Sequence, residues 1–113
     1  MKTNSAIYRE AKITPTKNGQ FVTVWKRNSK GLTAPYDTSN KIDFYIITVK
    51  TKTKSGQFTF PKEVLIKQGI MSVKGKGGKR GLRVYPPWDK PQSKQAEKTQ
   101  RWQLDYFSTN IQV

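Results

Sequence analysis

Apolar and polar residues alternate loosely over residues 6–14 (AIYREAKIT), a strand pattern that stops at Pro15. Residues 19–25 (GQFVTVW) concentrate β-branched and aromatic side chains and predict a second strand. The stretch 26–40 (KRNSKGLTAPYDTSN) carries Gly31, Pro35 and several Ser, Thr and Asn, and predicts a loop. Residues 41–50 (KIDFYIITVK) have the continuous apolar centre of a central strand, and 56–60 (GQFTF) continue it as a hairpin. At 61–68 (PKEVLIKQ) a Pro stands in the first turn and Gly69 just past the end, the asymmetry of a short helix. Residues 74–80 (KGKGGKR) predict a mobile loop, and 82–85 a last short strand before Pro86 and Pro87. From 91 to 107 a stripe of Ala96, Leu104 and Phe107, with Trp102 and Tyr106 beside it, recurs at helical spacing. The tail, 108–113, is expected to fray.

These elements predict one α+β (α/β) domain over residues 1–113. Its expected architecture is a small curved antiparallel or mixed sheet of about five strands, packed with one short and one long C-terminal helix. Apolar residues make up only 34% of the chain, which by itself would suit a disordered segment. The 13 Phe, Trp and Tyr residues argue for a core instead, because they fall in the strand-like blocks and each buries roughly 150–250 Å². No stretch approaches the ~20 apolar residues of a membrane span, and residues 1–13 lack the apolar region of a signal peptide. With no Cys to suggest export, a cytoplasmic location is expected.

Charge changes the picture most. Lys and Arg number 22 against 7 Asp and Glu, a formal net charge of +15. A domain this basic draws polyanions, of which nucleic acid is the commonest in a cell. The absence of His and Cys excludes Cys/His zinc modules, thiol chemistry, His general bases and Ser-His triads. The charge is also unevenly spread. Residues 50–83 hold ten basic residues and one acid, net +9, whereas residues 84–113 hold four and three, net +1.

The densest run is Lys74, Lys76, Lys79, Arg80 and Arg83, interleaved with Gly. Glycine lets backbone N–H groups approach a phosphate closely, and the flanking cations supply charge. The run is no Walker loop, since Arg80 stands where Ser or Thr would follow the Lys. Lys50, Lys52 and Lys54 alternate and would share one face of an extended strand. Lys26 and Arg27 follow Trp25, which sets cations beside a ring that is able to stack on a base or to join the core. A further echo pairs TPTKNGQF (14–21) with TKTKSGQF (51–58). It is either one hairpin turn used twice, or two basic turns, at Lys17 and Lys54, that present Lys and Thr to phosphates.

Five blocks together resemble the MepB family. They are AKITPTKNGQFVTVWKR (11–27), the Asp43-Phe-Tyr strand, GQFTFPKEVLIKQGI (56–70), GKRGLRVYPPWD (78–89) and KQAEKTQRWQLDYF (94–107). Family members usually carry an additional N-terminal segment, most of which this chain is expected to lack. The resemblance implies a compact α/β domain with a basic surface compatible with DNA or RNA. It also implies a gene neighbourhood with a multidrug efflux pump and a distant likeness to restriction-endonuclease-like folds.

A metal-dependent nuclease of that kind wants an Asp on one strand, then Glu or Asp, any residue, and Lys on the next, so that the acids hold Mg²⁺. Asp43 offers the first acid, but the following strand reads Gln57-Phe58-Thr59. Glu10-Ala11-Lys12 has the required form, although it precedes Asp43. The expected function is therefore binding of DNA or RNA through phosphates, with low sequence specificity, no catalysis and no cofactor. Lys74, Lys76, Lys79, Arg80 and Arg83 are the main contacts on this reading, and Lys12, Lys17, Lys26, Arg27 and Lys54 the secondary ones. The alternatives are a Mg²⁺ nuclease built on Asp43, Glu10 and Lys12, a pocket for a small anionic nucleotide, and a module that docks on an acidic protein.

Overall fold

The computed structural model describes residues 5–109. The two apolar strands at its centre form as the pattern predicts. β6 (Phe44–Lys50) and β7 (Ser55–Pro61) pair antiparallel from Phe44↔Pro61 to Lys50↔Ser55. Their alternation sends Tyr45, Ile47 and Val49, with Phe58 and Phe60, into the core, where each is at most 1% exposed. β1 (Ala6–Glu10) joins β6 in parallel, and β9 (Phe107–Ser108) adds to the other edge, giving the order β1-β6-β7-β9. This sheet is mixed because β1 and β6 are joined by a long crossover, residues 11–43, which builds most of the rest of the fold.

The crossover contains β2 (Lys12–Ile13), β3 (Gln20–Thr23), β4 (Trp25–Arg27) and β5 (Thr33–Pro35). β2 pairs with β3, and β3 with β8 (Gly81–Val84), as a second sheet of order β2-β3-β8. Its inner face supplies Val22, Leu82 and Val84 to the core. The first predicted strand is thus interrupted at buried Ala11, whose N–H goes to Thr48 O at 2.9 Å; beyond it the chain leaves one sheet for the other. The segment 26–40 is more ordered than its composition suggests. β4 and β5 form a two-stranded ribbon, closed by Asn28, whose Oδ1 accepts from Lys30 N and Leu32 N. Lys50, Lys52 and Lys54 do not share an extended strand, because residues 51–54 turn back, with Thr51 N donating to Lys54 O.

α1 (Lys62–Lys67) starts after Pro61 and ends before Gly69 (φ +72°), as expected. α2 (Lys94–Leu104) is shorter than the predicted 91–107. It begins where the Ser93 Oγ accepts from Ala96 N. It ends before Phe107, which pairs with Phe58 in β9. The fold is α+β as expected, but its strands are divided among three small sheets instead of one of about five. The frayed tail was expected from residue 108; Ser108 lies in β9, and residues 110–113 fall outside the described part.

The fully buried residue of α2 is polar. Gln103 is 0% exposed, with its Oε1 accepting from Tyr85 N (2.9 Å) and its Nε2 donating to Arg83 O (3.0 Å). One side-chain amide thereby does for the edge of β8 what a neighbouring strand would do. Gln100 Nε2 adds bonds to Tyr85 O, Pro86 O and Asp89 O. Trp102 packs on Phe60 at 5.3 Å between ring centroids, so α2 is tied to both sheets.

Candidate functional site

The Gly-rich loop after α1 is held in place. Val73 and Lys76 exchange backbone bonds of 2.9 and 3.0 Å around Lys74 (φ +53°) and Gly75 (φ +78°). Two successive residues in the left-handed region make the type I′ hairpin turn, which favours Gly and tolerates few other residues. Gly78 (φ +86°) passes so close to Pro35 and the Ser72 N–H that a Cβ would come within 2.7 Å of the proline ring. Lys79 N then returns to Ile70 O.

Asp37 is the anchor. Its Oδ1 accepts from Ser72 Oγ (2.6 Å) and Gly75 N (2.9 Å), and its Oδ2 from Ser39 Oγ and Ser39 N. The Ser72 hydroxyl and these further donors hold its carboxyl well below the usual carboxylate range. A depressed folded-state pKa contributes stability above the ordinary carboxylate value, and that contribution is lost as pH falls towards the folded value. The anchor is therefore fully set throughout the neutral range and releases only in strong acid.

The same contacts bring the β4–β5 ribbon against the loop. Arg80 Nη2 donates to Thr33 O, and Val24 N to Arg80 O. Arg27 reaches back to Gly31 O, and its guanidinium lies 5.3 Å from the centre of the Trp25 ring. Lys26 and Arg27 on the ribbon and Lys74, Lys76, Lys79 and Arg80 on the loop thus occupy two packed elements. None of the six has a carboxylate partner among the described residues, where the one ion pair is Lys50–Glu10 at 3.1 Å. Asp37, the acid in their midst, already accepts four hydrogen bonds.

Arg83 differs from the rest of its run. It is half-buried on β8, and its Nη1 donates to Thr14 Oγ1 (3.0 Å), Asn18 O (3.1 Å) and Gly19 O (3.4 Å). Its neighbours on the outer face of the second sheet are Phe21 and, one strand further, exposed Lys12. Beside them, between β8 and the first turns of α2, run two hollows of about 400 and about 260 Å³. They share Arg83, Tyr85, Ser93 and Ala96, so they form one trough. Lys79 stands at one end and Lys17 at the other.

The turns that echo one another have different surroundings. Lys17 opens on the trough, whereas Lys54 lies 6.0 Å above the Trp88 ring. What they share is a glycine under an aromatic ring, Gly19 below Tyr85 and Gly56 below Phe107.

The acids proposed for a metal are not brought together. Asp43 precedes β6 and accepts from Ser5 N, while Glu10 ends β1 opposite Thr48 and pairs with Lys50. Five residues of strand, on the order of 16 Å, separate the two positions. Among the described residues no three acids gather as metal ligands. No helix of the described residues is long and apolar enough to cross a membrane.

Sequence reasoning missed Asp37 and Gln103 because their partners are far along the chain. The trough, likewise, needs three distant segments. The only local hint was polar: a lone acid between two basic stretches, and a Gln inside an otherwise amphipathic helix.

Comparison with known proteins bears on this whole arrangement. A solved crystal structure of MepB superposes on the chain with a TM-score of 0.86 and 39% sequence identity, over 94% of this chain and 71% of that one. Among curated proteins none matches significantly. The MepB-like family model matches residues 1–109, which takes in both larger sheets, both helices and the basic loop, and the chain belongs to the MepB-like family.

Proposed function

We propose that this protein binds nucleic acid through its phosphates, without catalysis and with low sequence specificity. The observation that carries the reading is the pinned cationic patch: Lys26, Arg27, Lys74, Lys76, Lys79 and Arg80 on two packed elements, with none of the six in an ion pair with a carboxylate among the described residues. Cations left unpaired on a fixed surface repel one another until a polyanion or salt screens them. Separation of Glu10 from Asp43 favours binding over cutting.

The test is a gel-shift titration against DNA and RNA across a salt series, with plasmid cleavage measured in parallel in Mg²⁺ and Mn²⁺. Binding that weakens steeply with salt, and no cleavage, is the expected result. Metal-dependent cleavage abolished by Asp43→Ala would move the protein to the nuclease class. Affinity for one acidic protein, resistant to nuclease treatment and without any for nucleic acid, would make it a docking module.

Asp37→Ala separates a fixed patch from charge alone. Removing an acid raises the net charge, so charge alone would tighten binding. Because Asp37 orders the loop, its loss is expected to weaken binding about three- to tenfold, the scale of one ordinary hydrogen bond. Isothermal titration calorimetry at fixed salt reads the sign directly.

A further inference from the structure

We infer that the outer face of the β2-β3-β8 sheet, together with the trough beside it, takes a single strand of nucleic acid; this rests on the polyanion reading above and names the form of the polymer. Strand register sets Lys12, Phe21 and Arg83 side by side across the three strands. Phe21 is 40% exposed, and its ring lies over Gly81, which lacks the Cβ that would collide with it. The tip of the ring therefore lies over the Gly81 backbone, and the exposed part of the residue meets solvent. The Arg83 guanidinium is 5.8 Å from the ring centre. All hydrogen bonds of the Arg83 guanidinium among the described residues fall on Nη1, which leaves Nη2 and Nε as donors for a phosphate.

An exposed ring between two cations is poorly suited to an apolar protein partner. It suits a base, which stacks on the ring while its flanking phosphates meet the cations. Tyr85 provides a second ring in the trough, lying on Gly19 as Phe21 lies on Gly81. The trough walls add hydroxyls and amides, Thr16, Ser93, Thr99 and Gln95 among them. A duplex keeps its bases stacked inward and is read by a helix or ribbon that protrudes into a groove about 12 Å wide. This site is concave and its rings need bases free to unstack. A mononucleotide would use one ring and one or two of the cations, whereas Lys12, Arg83, Lys17 and Lys79 are spread along a path for several phosphates.

The test is fluorescence anisotropy with a labelled DNA strand about 16 nucleotides long and with the duplex of the same sequence, at one salt concentration. The wild type is expected to hold the strand about tenfold more tightly than the duplex. Phe21→Ala should cost about tenfold for the strand, the scale of one lost base stack, and leave the duplex unchanged; Phe21→Trp should restore strand affinity. Ala96→Trp, which fills the trough without altering charge, should reproduce the loss. Equal affinity for strand and duplex, with Phe21→Ala changing neither, overturns the single-strand inference and leaves the polyanion reading standing. Absence of binding to either polymer overturns both. Competition by AMP at the concentration where the strand itself competes would make the trough a small-ligand pocket and also overturn the inference.

Discussion

Replacing Lys74, Lys76, Lys79 and Arg80 with Glu is expected to reduce nucleic-acid affinity at least a hundredfold while the fold survives. The four side chains are exposed, and apart from the Arg80 bond to Thr33 O the loop that carries them is held by groups the substitutions leave alone: the Asp37 carboxylate and the Val73–Lys76 and Lys79–Ile70 backbone bonds. Thermal stability should therefore stay within about one or two kcal/mol, the span of ordinary surface substitutions taken together. The binding loss has two origins. Each lost phosphate contact forfeits its counterion release, and each new carboxylate repels the backbone it replaces. A control isolates the patch from the net charge. Reversing Lys41, Lys67, Lys98 and Arg101, also exposed, changes the formal charge equally but lies outside the ribbon and loop. Its effect should be roughly tenfold smaller, because exposed charges beyond a Debye length of about 8 Å are largely screened. Equal losses from both quadruple variants would mean that only total charge matters.

Gln103→Leu is expected to destabilise the protein by roughly 2–5 kcal/mol, even though it places an apolar side chain of similar size in a fully buried position. Burial alone would favour Leu. The substitution also strips the partner from Tyr85 N and from Arg83 O at the edge of β8, and each buried group left unsatisfied costs about 1–3 kcal/mol. The loss would approach that of Phe60→Ala, about 3–5 kcal/mol for a deleted core ring. Each kcal/mol lowers Tm by about 4–8 °C in a domain near this size, so thermal or urea unfolding resolves the change easily. The trough should suffer as well, since α2 forms one of its walls. A stabilised Gln103→Leu variant would show that the amide is incidental and that packing alone seats the helix.

Local pattern was enough for the parts of the fold where neighbours in sequence are neighbours in space. The apolar run of β6, the hairpin into β7, and α1 between Pro61 and Gly69 were all legible for that reason. The β4–β5 ribbon was hidden by its composition: strands of three residues leave no room for alternation, and Asn28 with Gly31 reads as loop when it is the turn between them. α2 was over-extended because Phe107 continues the helical stripe, although it is drawn into pairing with Phe58. The site follows the same rule. Its charge was visible along the chain, and the cations of residues 74–80 do lie on one loop. Its order was not visible, because Asp37 reaches Ser72 and Gly75 across more than thirty residues. Arg83 looked like one more cation of the run, yet strand alternation turns it onto the sheet beside Phe21 and away from the loop tip.

The most direct measurement is the affinity of the wild type and of the Lys74/Lys76/Lys79/Arg80→Glu variant for one DNA oligonucleotide across a salt series. A slope of log K against log salt near −4 to −6 is expected for the wild type, at about −0.7 to −0.9 per phosphate engaged. The variant's slope should be shallower by about three units on the same scale. A wild-type slope close to zero, or one that the four reversals leave unchanged, would contradict a phosphate-binding patch on the Gly-rich loop.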